Sequence, residues 1–312
     1  MFTVKNLYEK YALDLRMEII AGQSGLVRKI RIPEADRPGL SLAGYLKGYS
    51  DQRILVLGRV EMEYLKSLEG PLRKERLSGI LSKKVPAVIL ARDYRPFREL
   101  LQICEKEGVP LFISSLTTMK LLGQLTVILG EEFAAKTSCH GTLVEAFGLG
   151  VLIQGDSSIG KSETALGMIE RGHRLISDDV VIVKKKEGQK LVGTGPELTR
   201  HMLEIRGIGI INVAHIYGAV CISEKIEIDL VVKLEGWDDK NFYDRVGLEE
   251  KHIDILGSKV PFYLMPVKPG RDVVLLLETI VLNHRLKGMG YHSAKEFNVK
   301  LLETISKRQG VR

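Results

Sequence analysis

The sequence predicts an α/β protein of two domains, 1–134 and 135–312. Three observations carry this. A chain of 312 residues exceeds what one hydrophobic core usually holds. Its first part alternates short apolar runs with helical patterns, as a parallel sheet with crossover helices requires. Its second part contains Gly155-Asp156-Ser157-Ser158-Ile159-Gly160-Lys161-Ser162, the P-loop pattern G-x-x-x-x-G-K-[ST].

The elements of the first domain follow in order. Leu7 to Met17 has helical apolar spacing, and Arg53 to Gly58 reads as a buried strand. Glu61 to Leu68 and Leu72 to Lys84 are helices, and Ala87 to Leu90 is a second strand. Pro96 opens a helix that Gly108 closes. Val109 to Ile113 is a third strand, and Ser115 caps a long helix to about Phe133. No catalytic constellation stands out here. The basic pairs Lys83-Lys84 and Arg73-Lys74 read as solvated helix faces. Ala134 to Cys139 reads as a linker.

In the second domain, Thr142 to Phe147 and Val151 to Gln154 are strands joined at Gly148-Leu149-Gly150. His140 and Gly141 stand at the mouth of this hairpin. The P-loop lies between its second strand and a helix, Glu163 to Arg171, stopped by Gly172. In that setting backbone N–H groups curl around phosphate oxygens, aided by the helix dipole. Lys161 reaches the β/γ-phosphates, and Ser162 offers its hydroxyl to Mg²⁺.

Next, Asp178-Asp179 is embedded in the β-branched run Leu175 to Val183. Carboxylates among apolar residues are costly unless paired or bound to a cation. Such a pair can supply a Mg²⁺ contact and a base for an attacking hydroxyl, or it can be a solvated turn. The P-loop favours the first. Glu204 and Arg206, in Leu203 to Asn212, alternate with apolar residues ahead of a Gly-x-Gly. A bulged strand and a carboxylate–guanidinium pair facing the phosphate site fit equally well. Arg245, after the loop Gly236 to Tyr243, reads by itself as a surface arginine. Ile226 to Leu234 and Val260 to Val267 are strands, and Pro266 to Arg271 is a rigid basic turn. Asp272 caps an apolar helix to about Leu286, and Ser293 to Arg308 is a final amphipathic helix.

Composition narrows the class. Cys104, Cys139 and Cys221 have no paired spacing, which argues against a disulfide framework and fits a reducing cytoplasm. Met1 to Arg16 lacks the apolar core of a signal peptide, and no run is long enough to span a bilayer. The net charge of +7 is not concentrated in a block with interleaved aromatics, so neither nucleic acid nor membrane is expected as a partner.

Taken together, Cys139-His140-Gly141, the P-loop, Ile176 to Asp179, Leu203 to Asn212 and Pro266 to Arg271 resemble the bacterial HPr kinase/phosphorylase family. The resemblance runs along the whole chain. It implies a C-terminal P-loop kinase domain similar to phosphoenolpyruvate carboxykinase. It implies an enzyme that phosphorylates a serine of the phosphocarrier HPr with ATP or pyrophosphate, and removes the phosphate by phosphorolysis. Mg²⁺, a homohexamer, a fructose 1,6-bisphosphate effector and control of carbon catabolite repression come with it. His140, Lys161, Asp179 and Arg245 match the family's catalytic positions, and Ser162 and Glu204 its magnesium positions. Without the resemblance, a P-loop kinase of a small metabolite remains the alternative, and a nucleotide-dependent regulator of nucleic acid a weaker one.

Overall fold

The computed structural model describes residues 2–81, 84–241, 243 and 247–309. It divides into two compact units, Met1–Phe133 and Ala134–Arg312.

The first unit begins with α1 (Val4–Leu15), where Thr3 and Asn6 form a reciprocal capping box. Such a cap stabilises a helix by about 1 kcal/mol. The helix ends earlier than the apolar spacing predicts, because Arg16 turns left-handed at φ 48°. Met17 therefore opens a strand that the sequence reading lacks, β1 (Met17–Ala21). There follow β2 (Ala35–Asp36), β3 (Ile54–Leu57), α2 (Arg59–Ser67), α3 (Gly70–Ile80), β4 (Val88–Leu90), α4 (Arg98–Glu107), β5 (Leu111–Ser114) and α5 (Thr118–Phe133). The sheet order is β1-β5-β4-β3-β2. β2 to β5 run parallel, as the alternation of elements requires, and β1 closes the edge antiparallel to β5. Both sheet faces are covered. Leu65, Leu77 and Leu100 pack with Leu55 and Leu57 on one side, and Leu7, Leu121 and Leu125 with Ile54 and Val56 on the other. That is why β3 is apolar at every position. Of the basic pairs, Lys83 lies outside the described residues, while Arg73 is half-buried and donates to the carbonyls of Leu65 and Leu68.

The second unit comprises β6 (Lys136–His140), β7 (Thr142–Ala146), β8 (Leu149–Gly155), α6 (Lys161–Glu170), β9 (Arg174–Ser177), β10 (Val180–Lys185), β11 (Leu191–Thr194), β12 (Met202–Ile205), β13 (Gly209–Asn212), α7 (Val213–Tyr217), β14 (Lys225–Gly236), β15 (Lys251–Ile255), β16 (Ser258–Val267), α8 (Val273–Gly288) and α9 (Ser293–Gln309). Its large sheet runs β6-β10-β11-β14-β8-β7-β9, with β16 on β14 and β15 on β16. Alternation along β8 and β14 sorts the core into two layers. Val151, Ile153, Leu230 and Val232 pack with Ala165 and Met168 of α6 and Leu277 and Val281 of α8. Leu152 and Val231 face the opposite layer with Val181 and Val183 of β10. Asp272 caps α8 as expected, accepting from the Leu275 N–H at 2.9 Å.

Three local expectations are corrected. Most of the linker at Ala134 to Cys139 is β6, paired antiparallel with β10, because Thr137 and Cys139 alternate inward between exposed neighbours. The turn between β7 and β8 lies at Phe147 and Gly148, both at positive φ, so Leu149 and Gly150 belong to the strand. The run Leu175 to Val183 is not one strand; it breaks at Asp178-Asp179, with Asp179 left-handed at φ 66°. Among the described residues, no helix is long and apolar enough to cross a membrane.

Candidate active site

β8 ends at Gly155, beside Leu234 of the parallel β14, and the chain turns through the glycine loop into α6. Gly160 occupies the cap position at φ 97°, and Lys161 and Ser162 open the helix. Asp156, Ser157 and Ser158 are exposed at the loop's rim. The Lys161 ammonium donates to the loop's own carbonyls, Gly155 O at 3.0 Å and Asp156 O at 2.9 Å.

The break at Asp178-Asp179 sends the two carboxylates in different directions. Asp178 is 8% exposed, yet its charge is well matched to donors. It accepts from Thr142 Oγ1 at 2.6 Å and from Ser162 Oγ at 2.9 Å. It also accepts from the Glu204 N–H at 3.3 Å. This one carboxylate ties β7, the P-loop helix and β12 together. A buried carboxylate held this way offsets its desolvation with charge-assisted hydrogen bonds.

Asp179 points the other way and is 78% exposed on its side chain. The β6–β10 ladder pairs His140 with Val180, and the Gly141 N–H donates to Asp179 O at 3.0 Å. This places His140 Nδ1 3.7 Å from Asp179 Oδ1.

The hairpin of β12 and β13 completes the surroundings. Leu203 and Ile205 are buried against the α6 layer, so Glu204 lies on the opposite, exposed face. From the turn, Arg206 Nη2 reaches to 3.5 Å of Ser157 Oγ in the glycine loop. Arg206 thus meets the glycine loop by its side chain, and Glu204 meets Asp178 by its backbone N–H. The basic turn Pro266 to Arg271 follows β16, where Arg271 Nη1 donates to Pro266 O at 2.9 Å. Arg245 lies outside the described residues.

The donor set fits Mg²⁺. Ser162 hydroxyl, Asp178 carboxylate and Glu204 carboxylate are hard oxygen ligands, and the hydroxyl and one carboxylate are already in contact. Among the described residues no group of three or more His, Cys, Asp or Glu side chains is placed to hold a metal ion. The sequence reading offers the acidic pair as a Mg²⁺ contact and base without assigning Asp178 its part, and takes Thr142 only as a strand residue. The acidic pair is visible in sequence, but which member is buried depends on the left-handed turn at Asp179.

The fold and site define a P-loop phosphate-binding protein with an acidic turn beside the loop. The chain belongs to the HPr kinase/phosphorylase family. Residues 131–301 match the family described as "HPr Serine kinase C-terminal domain", and residues 2–129 match "HPr Serine kinase N terminus". It is 40% identical over 301 residues to the HPr kinase/phosphorylase of Bacillus pumilus, covering 96% of each chain. It is 41% identical to that of an Exiguobacterium species, covering 95% of each. A solved structure of the Hpr(Ser) kinase/phosphatase from Coxiella burnetii aligns at 38% identity and a TM-score of 0.47, over 52% of this chain and 98% of that one.

Proposed function

We propose that this chain transfers a phosphoryl group from ATP or pyrophosphate to a serine hydroxyl of HPr and also reverses the modification by phosphorolysis. In the reverse reaction phosphoserine and inorganic phosphate give serine and pyrophosphate. The observation that carries the reading is the division of labour in the acidic pair: Asp178 buried on Ser162 and Asp179 exposed beside His140.

In this reading the domain 135–312 holds the catalytic machinery. The amides from Gly155 to Ser162, with Lys161, bind the phosphates of the donor. Ser162, Asp178 and Glu204 would hold Mg²⁺. When bound, that ion neutralises charge on the phosphates. Asp179 accepts the proton of the serine hydroxyl as it attacks, and returns it to the serine oxygen in the reverse direction. One carboxylate serves both directions by microscopic reversibility. His140 holds Asp179 in place or contacts the incoming phosphate. Arg245 neutralises the transferred phosphoryl group. A homohexameric, cytoplasmic enzyme that responds to fructose 1,6-bisphosphate and controls carbon catabolite repression fits the same reading.

The test is to incubate the purified protein with HPr, Mg²⁺ and ATP, then add excess inorganic phosphate. Phosphate on an HPr serine, later released as pyrophosphate, is the expected result. ATP binding without transfer to HPr would overturn the reading in favour of a metabolite kinase.

A further inference from the structure

The β12–β13 hairpin carries more than Glu204 and Arg206. Its register pairs Glu204 directly with Ile210. Opposed residues of an antiparallel pair share a face, with Cβ atoms about 4.5–5.5 Å apart. Ile210 therefore stands beside the Glu204 side chain, and it is 72% exposed. Ile208, in the turn, is 69% exposed. The buried face of the same hairpin is already supplied by Leu203, Ile205 and Ile211, so folding does not require aliphatic side chains at 208 and 210. The apolar exposure continues along the chain into α7 and beyond, with Ile216 and Val220.

Pyrophosphate has no apolar surface to bury against these side chains, and a nucleotide base seated on them would show as lost Mg-ATP affinity in the test below. A small polar acceptor would be better served by hydrogen-bonding groups. A scattered exposed isoleucine is ordinary. Two on one short hairpin, one of them directly across the ladder from Glu204, form a contact surface continuous with a hairpin tied to Asp178 and the glycine loop.

We propose that Ile208 and Ile210 are specificity residues that seat an apolar segment of the protein substrate next to its acceptor serine. The inference rests on the reading that the acceptor is a protein serine. The geometry adds which surface the protein covers: the outer face of the hairpin whose backbone is tied to Asp178 and whose Arg206 reaches the glycine loop. Burying the two side chains against the substrate would orient the serine hydroxyl relative to Asp179.

The experiment compares wild type with I208S/I210T and with the conservative I210V. Steady-state transfer to HPr is measured at saturating Mg-ATP, Mg-ATP binding by titration, and stability by thermal melting. The double variant should raise KM for HPr about tenfold, with kcat, Mg-ATP affinity and melting temperature little changed, and I210V should behave nearly as wild type. An unchanged KM for HPr would overturn the inference while leaving the kinase reading intact. Loss of Mg-ATP affinity or of folding would overturn it too, by showing a structural role. No transfer by the wild type would remove the kinase reading, and the inference with it.

Discussion

The hydroxyl of Ser162 donates to the carboxylate of Asp178 at 2.9 Å, joining the P-loop helix to the turn after β9. The bond does two jobs. It gives a buried carboxylate a donor, and it holds together two hard oxygen donors that the proposed function assigns to Mg²⁺. D178N keeps the shape but removes the charge and one acceptor. It should raise the Mg²⁺ concentration for half-maximal transfer about tenfold to a hundredfold. It should also lower the melting temperature, since Thr142 and the Glu204 N–H lose a charged acceptor. Titrating Mg²⁺ in the transfer assay, alongside a thermal melt, checks both.

Asp179 presents the opposite case. It is exposed and, among the described residues, bonded to no buried donor, so D179N should leave stability within about 0.5 kcal/mol of wild type. Transfer and phosphorolysis should both fall, by roughly 10² to 10⁴. Separate initial rates in the two directions are the measurement, and retained activity in either direction would sink the shared acid–base role.

Gly155 is where the sheet meets the loop. At φ 147° an added Cβ would lie 2.6 Å from the Leu234 carbonyl oxygen of the neighbouring strand. G155A should cost about 1–3 kcal/mol in stability and displace the loop amides. A nucleotide titration should show more than tenfold weaker binding, and an unaltered affinity would show that the approach of β14 is not what shapes the loop.

Away from the site, α6 and α8 are joined by charge. Glu278 accepts from Arg171 at 2.7 Å and lies 2.9 Å from His173 Nε2, whose ring packs edge-on against Phe147. Burial pushes the Glu278 carboxyl upward, but the bonds from His173 and Arg171 outweigh it and hold the group below its ordinary range. A folded pKa below the unfolded one contributes stability that is fully present above the unfolded value, about 4.3. It is lost as pH falls through the folded pKa. E278Q should therefore destabilise by about 2 kcal/mol at pH 7, and the difference should shrink below about pH 4. Melting curves for both proteins between pH 3 and pH 7 test this.

These residues also show what the sequence made legible. The P-loop and its flanks were readable because a fixed spacing of glycines, lysine and serine lies between a strand and a helix. β3 was readable because a strand covered on both faces is apolar at every position. β1 and β6 were not. They are short, half-exposed strands whose existence depends on partners far along the chain, β5 and β10. The Asp178-Asp179 break was hidden for a similar reason. β-branched neighbours favour a continuous strand, whereas the left-handed turn at Asp179 goes with the bonds that Asp178 makes to Thr142 and Ser162, far off in the chain. Glu204 was visible as a residue, but its place became clear only when its N–H was found on Asp178.

The Lys161 ammonium, held by the carbonyls of Gly155 and Asp156, has a consequence for how a ligand arrives. Its flexible four-carbon stem is anchored by the loop that it serves. Phosphate entry would then exchange acceptors on a cation already in place rather than order a loose side chain. The entropic penalty falls on folding, once, and is not repeated at every turnover.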